Sequence, residues 1–314
     1  MSTYTVKVLR ATFTLTGNNA VFPGTQANVL QVVGLRMSVH VQAAGAAMST
    51  QVSMRIYGMA QKDMNALSVI NVLNGTSEFI NNTVLIEASS DGGNSWSVVF
   101  AGAIVQAGPD YADSPDVYLS VQAQTGFYEA IAPALPTSFP GATDVGTAVG
   151  VIAAKMGVPF VNDGVNQVLP GGGYYSGSLL NQLQRICQAA HIAYSQDGPQ
   201  NTVTITPWGV PRTTPAPFIL TPTSGLVGYP RVRGDGFIEV RSLYNPAFLL
   251  LGLVTIADSD TVVGSNAPTT YNSQANGDWK IGTMTHALES QKPGGAWFTD
   301  MVLYPRDSQV AATP

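Results

Sequence analysis

Three histidines and one cysteine are the side chains of this 314-residue sequence best suited to nucleophilic, proton-transfer or soft-metal chemistry. His40, His191 and His286 lie in unrelated segments, and none has a second histidine or a carboxylate at the spacing of a metal motif. His40 falls on the polar side of an alternating strand, His191 at a helix end and His286 in a late strand, so all three read as polar strand or cap residues. Cys187 sits on the apolar stripe of a helix and reads as a small buried hydrophobe. Being alone, it excludes an intrachain disulfide and a cysteine-based zinc site. Glycoside hydrolysis needs two carboxylates, yet no pair stands out; Glu87, Glu129, Glu239 and Glu289 read as solvated or interfacial. Gly171-Gly172-Gly173 lacks the Lys-Ser/Thr ending of a phosphate loop. Arg233-Gly234-Asp235 spells a cell-adhesion tripeptide and reads as a turn. Asp91-Gly92-Gly93-Asn94 supplies too few carboxylates for a calcium loop. No catalytic, metal or cofactor site is expected, and the chain reads as a non-enzyme.

Composition points the same way. Charged residues make up 11 % of the chain, against about 25 % in an ordinary soluble domain. Fourteen Lys and Arg against 19 Asp and Glu leave a net charge of −5, which gives no overall electrostatic footprint for gripping a phosphate backbone. The start, MSTYTVKVLR, has no apolar core of a secretory signal. The longest apolar run, Phe248 to Ala257, is about half of what a helical bilayer crossing needs, so no membrane insertion is expected. The 32 glycines and 20 prolines suit a β-rich chain with many turns. A weakly charged surface also suits burial against other subunits.

The elements that would position these residues are mostly strands. Val6 to Leu15 alternates loosely. Leu35 to Gln42 alternates cleanly, with Met37, Val39 and Val41 opposite Arg36, Ser38, His40 and Gln42. After a loose segment, Ala43 to Ser49, the chain from Gln51 to Tyr57 sets Val52, Met54 and Ile56 against Ser53, Arg55 and Tyr57. Asp63 to Ser68 reads as a short helical turn. A hairpin of Thr83–Ser89 and Trp96–Ala103 then turns at Asp91–Asn94. These segments predict a β-barrel or sandwich over 1–108, with Gly108 to Pro115 as linker. The strand Asp116–Ala123 opens a second unit, 115–206. Within it Val145 to Met156 and Leu179 to Ala190 repeat at helical spacing, with Thr143 or Asp144 and Ser176 or Ser178 as N-caps and Gly157 as a stop. A hairpin of Ala193–Gln196 and Thr202–Thr206, turning at Asp197-Gly198-Pro199, completes a small α+β insert. The Pro-rich segment 207–217 is a second boundary. Strands Gly236–Leu243, Phe248–Ile256, Asp278–Leu288 and Ala296–Tyr304 follow in 216–314, with a polar loop from Ala257 to Gly277 and a turn at Lys292-Pro293-Gly294-Gly295.

Four blocks in order resemble the baseplate hub proteins of contractile-tailed bacteriophages, those of Mu-like phages above all and the T4-type hub more remotely. The first is Leu35-Arg36, then Met54-Arg55-Ile56-Tyr57-Gly58-Met59 and Asp63-Met64-Asn65-Ala66-Leu67. The second is the two-helix insert with Gly157 and the hairpin from Ala193 to Thr206. Gly225-Leu226-Val227-Gly228-Tyr229-Pro230 with Val240-Arg241-Ser242-Leu243-Tyr244-Asn245-Pro246 and Gly252 forms the third. Thr285-His286-Ala287-Leu288 and Trp297-Phe298-Thr299-Asp300 form the fourth. The resemblance implies a mainly β chain with two tail-tube-like β-barrel domains flanking the two-helix module. It implies a homotrimeric ring that adapts a sixfold tail tube, or distal tube protein, to a threefold central spike. Baseplate wedge proteins are further implied neighbours. The location implied is the tail baseplate of the virion, after synthesis in the host cytoplasm. The lysozyme of T4-type hubs belongs to the neighbouring spike chain, so no hydrolase activity carries over. In such a ring Ser38, His40, Gln42, Ser53 and Arg55 would line the channel, through which DNA passes without specific binding. The alternative from another class is a glycan-binding β module of a tail tip or adhesin, using Trp96, Trp208, Trp279 and Trp297 as stacking platforms. A cell-wall hydrolase finds little support in the sparse His and carboxylate constellations.

Overall fold

The computed structural model describes residues 5–17, 20–44, 49–70, 81–112, 114–197, 201–233, 235–257 and 275–306. Most of the polar loop 257–277 lies outside these residues, as do Gly198 and Pro199 of the hairpin turn, Gly234 of the tripeptide and residues 45–48 of the loose segment. The first part of the chain forms β1 (Val8–Thr14), β2 (Val29–Val33), β3 (Met37–Ala44), β4 (Gln51–Tyr57), α1 (Gln61–Leu67), β5 (Val69–Ile70), β6 (Thr83–Ser89), β7 (Ser97–Asp110) and β8 (Tyr118–Gln124). The middle forms α2 (Phe127–Ile131), β9 (Thr137–Phe139), β10 (Thr143–Asp144), α3 (Val145–Met156), β11 (Phe160–Asn162), β12 (Val168–Leu169), β13 (Gly173–Tyr175), α4 (Leu179–Ala189), β14 (Ile192–Asp197) and β15 (Thr202–Pro207). The last part forms β16 (Phe218–Leu220), β17 (Leu226–Val232), β18 (Ile238–Leu243), β19 (Leu253–Ile256), β20 (Gly277–Ser290) and β21 (Trp297–Pro305). Among the described residues 47 % are strand and 13 % helix, so the molecule is mainly β.

Alternation became strand where it was cleanest. In β3 and β4 every second side chain, Met37 to Ala43 and Val52 to Ile56, is buried, while the intervening ones face outward. Two expected boundaries moved. The segment expected as linker from Gly108 is still strand to Asp110, because the long β7 pairs with β8, β6 and β5. The expected strand Phe248–Ile256 keeps only Leu253–Ile256. There Leu251 turns the chain at φ +62°, a conformation that breaks a ladder.

The two β regions are one sheet. Its strand order is β17-β18-β21-β20-β3-β4-β8-β7-β6-β1-β2, with β19 and β16 branching from β20 and β5 from β7. The joint is an antiparallel ladder from Ser290 opposite Met37 to Thr283 opposite Ala44. β8, read from sequence as the start of the insert, lies between β4 and β7. The expectation of two barrels therefore needs correcting: among the described residues neither half closes by strand pairing, and β2 and β17 end an open path. The first half curls instead onto a seam of side chains. Trp297 Nε1 donates to Ser90 Oγ at 3.1 Å, Tyr244 and Ser97 hydroxyls lie 3.4 Å apart, and Lys7 Nζ sits 5.9 Å from the Trp297 ring centre.

Three apolar clusters hold the parts together. The first lies under β1–β8 and includes Phe13, Phe22, Met54, Ile56, Leu67 and Leu119, joined by Leu288 and Trp297 from the last strands. The third packs Leu220, Val254 and Leu303 around Phe248. The second belongs to the insert, where Ala148, Val149 and Ile152 of α3 meet Leu183, Ile186 and Cys187 of α4 over a sheet of β11-β15-β14. Both helices start on the expected kind of cap. Asp144 accepts from Thr147 N, Ser178 accepts from Asn181 N, and Gly157 ends α3 at φ +72°, in the left-handed region glycine enters without strain.

The insert is tied to the last part by a buried ion pair. Arg212 Nη1 donates to both Asp197 oxygens at 2.9 and 2.8 Å, Nη2 to Thr204 Oγ1 at 3.2 Å, and the backbone N–H to Leu251 O at 2.7 Å. Burial raises the Asp197 carboxyl above the usual range, and the guanidinium only partly opposes it.

Candidate functional site

Because paired residues of an antiparallel ladder share a face, the registers assemble the polar positions into rungs running across the sheet. Glu289, Ser38, Arg55, Ser120 and Gly108 form one rung. Ala287, His40, Ser53, Gln122 and Gln106 form the next, and Thr285, Gln42, Gln51, Gln124 and Ala103 a third. All five residues expected to share a face, Ser38, His40, Gln42, Ser53 and Arg55, do share it, and all but the half-buried Ser38 are exposed. His40, Gln42, Gln51, Ser53, Gln122 and Gln124 line a groove of ≈ 350 Å³. Sequence reading missed Gln106, Gln122 and Gln124, although Val121 and Ala123 alternate against the last two and could have placed them.

The rungs continue through the other half. Thr285 leads to Asp300, Arg241 and Val227, and Ala287 leads to Phe298 and Leu243. In the opposite direction Arg10, Thr12 and Thr14 of β1 stand opposite Glu87, Leu85 and Thr83. One polar face thus spans strands from both ends of the chain.

Four acidic groups on this face are paired with cations. Glu87 takes Arg10 through two 2.7 Å hydrogen bonds. Asp300 takes Arg241 at 2.7 and 2.9 Å, which raises the guanidinium further. Glu289 takes Lys292 at 2.8 Å and Ala296 N at 3.0 Å, and its carboxyl lies below the usual range because these donors outweigh its partial desolvation. Glu239 has Arg233 at 3.7 Å and Arg231 at 3.9 Å. The central glutamine, serine and threonine rungs carry no formal charge.

One rim carries a ladder of aromatic rings and arginines. Arg36 stacks over Tyr57 at 4.4 Å, Tyr57 meets Tyr118 at 5.3 Å, and Arg55 lies 5.0 Å from the Tyr118 ring centre. Tyr118 donates to Asp110 Oδ2 at 2.7 Å. The Ala112 N–H, then the Tyr118 hydroxyl, hold the Asp110 carboxyl below its usual range.

The residues best suited to chemistry are dispersed. His191 stacks on Trp208 at 4.6 Å. His286, read as a polar strand residue, points into the core, 5 % exposed. Its Nδ1 lies 2.9 Å from Thr299 Oγ1, and burial pushes its pKa down to about 4. Burial pushes the Cys187 thiol up to about 12, far from a reactive thiolate. Among the described residues no group of three or more His, Cys, Asp and Glu lies together, and no helix is long and apolar enough to cross a membrane. The four tryptophans lie in separate places: Trp96 carries Arg10 at 4.1 Å, Trp208 stacks on His191 and lines a groove, Trp279 donates to Ala275 O and Trp297 is in the seam.

An open, largely antiparallel sheet with one long polar face and a helical insert defines a mainly β protein built around a single large sheet. Solved structures with this fold include a tail protein from Neisseria meningitidis MC58, 9 % identical with a TM-score of 0.61, the match covering 98 % of this chain and 99 % of that one. The 43 kDa tail protein of prophage MuSo2 from Shewanella oneidensis is 9 % identical with a TM-score of 0.57 over 97 % and 99 %. An Escherichia coli type VI secretion component, itself described as similar to T4 tail proteins, is 10 % identical with a TM-score of 0.54 over 89 % and 76 %. A comparison with curated protein sequences finds no match. Residues 8–293 match the family described as baseplate hub gp41, and the chain belongs to that family. It is a structural component of a phage tail baseplate.

Proposed function

We propose that three copies of this chain form the hub ring of a contractile tail, adapting a sixfold tube to a threefold spike and passing DNA along the shared polar face. Each copy contributes two tube-like β modules, the first extended from 1–108 to take in β8 and the second 216–314, and the rest of the unit 115–206 stands between them as the insert. Six modules then surround the axis, and the open sheet of one copy is completed by its neighbours. Ser38, His40, Gln42, Ser53 and Arg55 line the passage together with Gln106, Gln122 and Gln124. Tube and spike proteins cap the two ends, and wedge proteins contact the outside.

The observation that carries this reading is the polar face common to both β regions, on which Glu87, Asp300 and Glu289 are neutralised in place. A wall of amides and hydroxyls offers a passing polyanion neither strong attraction nor strong repulsion, because each phosphate-contacting cation would add salt-dependent affinity. Mass measurement and negative-stain imaging test it. A trimer with a central hole is expected, and co-assembly with tube and spike proteins should follow. A persistent monomer, or specific binding on a glycan array, would overturn the proposal.

A further inference from the structure

We infer that the ladder Arg36–Tyr57–Tyr118–Arg55 is a phosphate-contacting collar for DNA at one rim of the polar face. The inference rests on the channel reading and goes beyond it, because it assigns a binding site to a wall otherwise built not to bind. Three observations carry it.

The first is charge. Residues 1–62 contain five basic side chains, Lys7, Arg10, Arg36, Arg55 and Lys62, and no acidic one, in a chain whose net charge is −5. The second is pairing. Arg10 and Arg241 on the same face are closed by bidentate carboxylates, whereas Arg36 and Arg55 are exposed and have no carboxylate within ion-pair distance among the described residues. Glu289, which Arg36 acts on at longer range, is neutralised by Lys292; Asp110, which Arg55 acts on at longer range, spends its hydrogen bonds on Ala112 N and the Tyr118 hydroxyl and forms no ion pair with Arg55. The third is order. Each guanidinium lies on a tyrosine ring, at 4.4 and 5.0 Å, and the two rings touch at 5.3 Å.

Stacking holds the arginine planes without consuming their N–H donors. A guanidinium ordered in advance loses less conformational freedom when a phosphate arrives. The occupant with the complementary charge, on a face read as a DNA path, is the phosphodiester backbone. No base is read, since phosphate contacts position a strand and carry no sequence information.

The test measures fluorescence anisotropy of a short, random-sequence DNA duplex with the full-length protein, from low to physiological salt. Replacing both arginines, Arg36→Gln with Arg55→Gln, is expected to weaken binding about tenfold at low salt and to flatten the salt slope by about 2 per copy. Arg36→Lys with Arg55→Lys should keep most of that slope. Both arginines are exposed, so thermal melting should be unchanged in either variant. Wild-type protein that binds no DNA at low salt, or a glutamine variant with unchanged affinity and slope, would overturn the collar. Polyglutamate competing as well as DNA at equal charge would overturn it in favour of an acidic protein face. Negative-stain images of the same samples read the ring separately. Intact rings with unchanged DNA binding reject the collar alone, while binding lost in the variant where no ring exists supports the collar and rejects the ring.

Discussion

One buried imidazole should make this fold weaker in acid, beside the smaller effect of surface carboxyls such as Asp110 and Glu289 that lie below their usual range. His286 is buried between Thr299 and the edge of the Tyr244 ring, and its pKa falls from 6.5 to about 4 because burial disfavours the imidazolium. In the unfolded chain the same side chain titrates near 6.5. Between those values the unfolded state binds a proton that the folded state refuses. The contribution of His286 is therefore fully present above pH 6.5 and is lost progressively as pH falls toward 4. Each tenfold in a protonation constant is about 1.4 kcal/mol, so the whole descent amounts to about 3 kcal/mol. Asp197 acts in the opposite sense, since a carboxyl raised by burial favours the folded state as pH falls. The measurement must therefore isolate the imidazole. Urea unfolding at pH 7 and pH 4.5, on wild type and on His286→Gln, does so. The glutamine can still meet the Thr299 hydroxyl, and it cannot titrate. The wild type should lose about 2 kcal/mol more than the variant between the two pH values. Equal losses would refute the reasoning.

Other perturbations read other parts of the fold. Ile56→Asp places a carboxylate at a fully buried position of the first core, and a cost of about 4 kcal/mol should prevent folding; a soluble variant with a normal unfolding midpoint would disprove the face assignment of β4. Arg212→Met strands Asp197 and should cost about 3 kcal/mol, while adding Asp197→Asn should recover much of it; a urea-unfolding double-mutant cycle without coupling would sink the ion-pair account. The Tyr304 ring occupies the space of any Cβ at Gly282, so Gly282→Ala should cost about 3 kcal/mol by overpacking, and a differential-scanning melt close to wild type would contradict that packing. Val33 on the edge strand β2 is 50 % exposed; Val33→Lys should leave melting unchanged and reduce the trimer fraction in sedimentation, and undiminished assembly would free that edge from any role in the ring.

Local rules made much of this structure legible. The alternation through Met37–Val41 and Val52–Ile56 placed two strands and the sides of ten residues, because one buried face fixes the parity of a strand. Asp144, Ser178 and Gly157 marked helix ends because their chemistry at those points is local. What stayed hidden depends on distant partners. Nothing near Met37 announces that β3 will pair with Ser290 and the rest of β20, so two expected barrels became one sheet. His286 was misplaced for a related reason. The bulge between Ile281 and Thr283 breaks the parity set by Ile281, and beyond it simple alternation puts His286 with Met284 and Leu288 on the apolar side. The polar face was half legible: β3 and β4 gave its centre, while its extension through Asp300 and Arg241 needed the registers.

The two ends of the open sheet are built differently, and the difference bears on assembly. At one end β17 contains Pro230 and a register shift between Val227 and Arg231, devices that blunt an edge against strand addition. At the other end β2 reads Val-Leu-Gln-Val-Val, with no charge, no proline and exposed Val29 and Val33. Such an edge is a template for pairing with another chain, and a lone molecule would carry it as an aggregation hazard. The unguarded β2 edge is thus the end suited to strand pairing with another copy, and the blunted β17 edge is not. In the ring proposed above, a neighbouring copy would cover the unguarded β2 edge and complete the sheet that stops short of closing on itself.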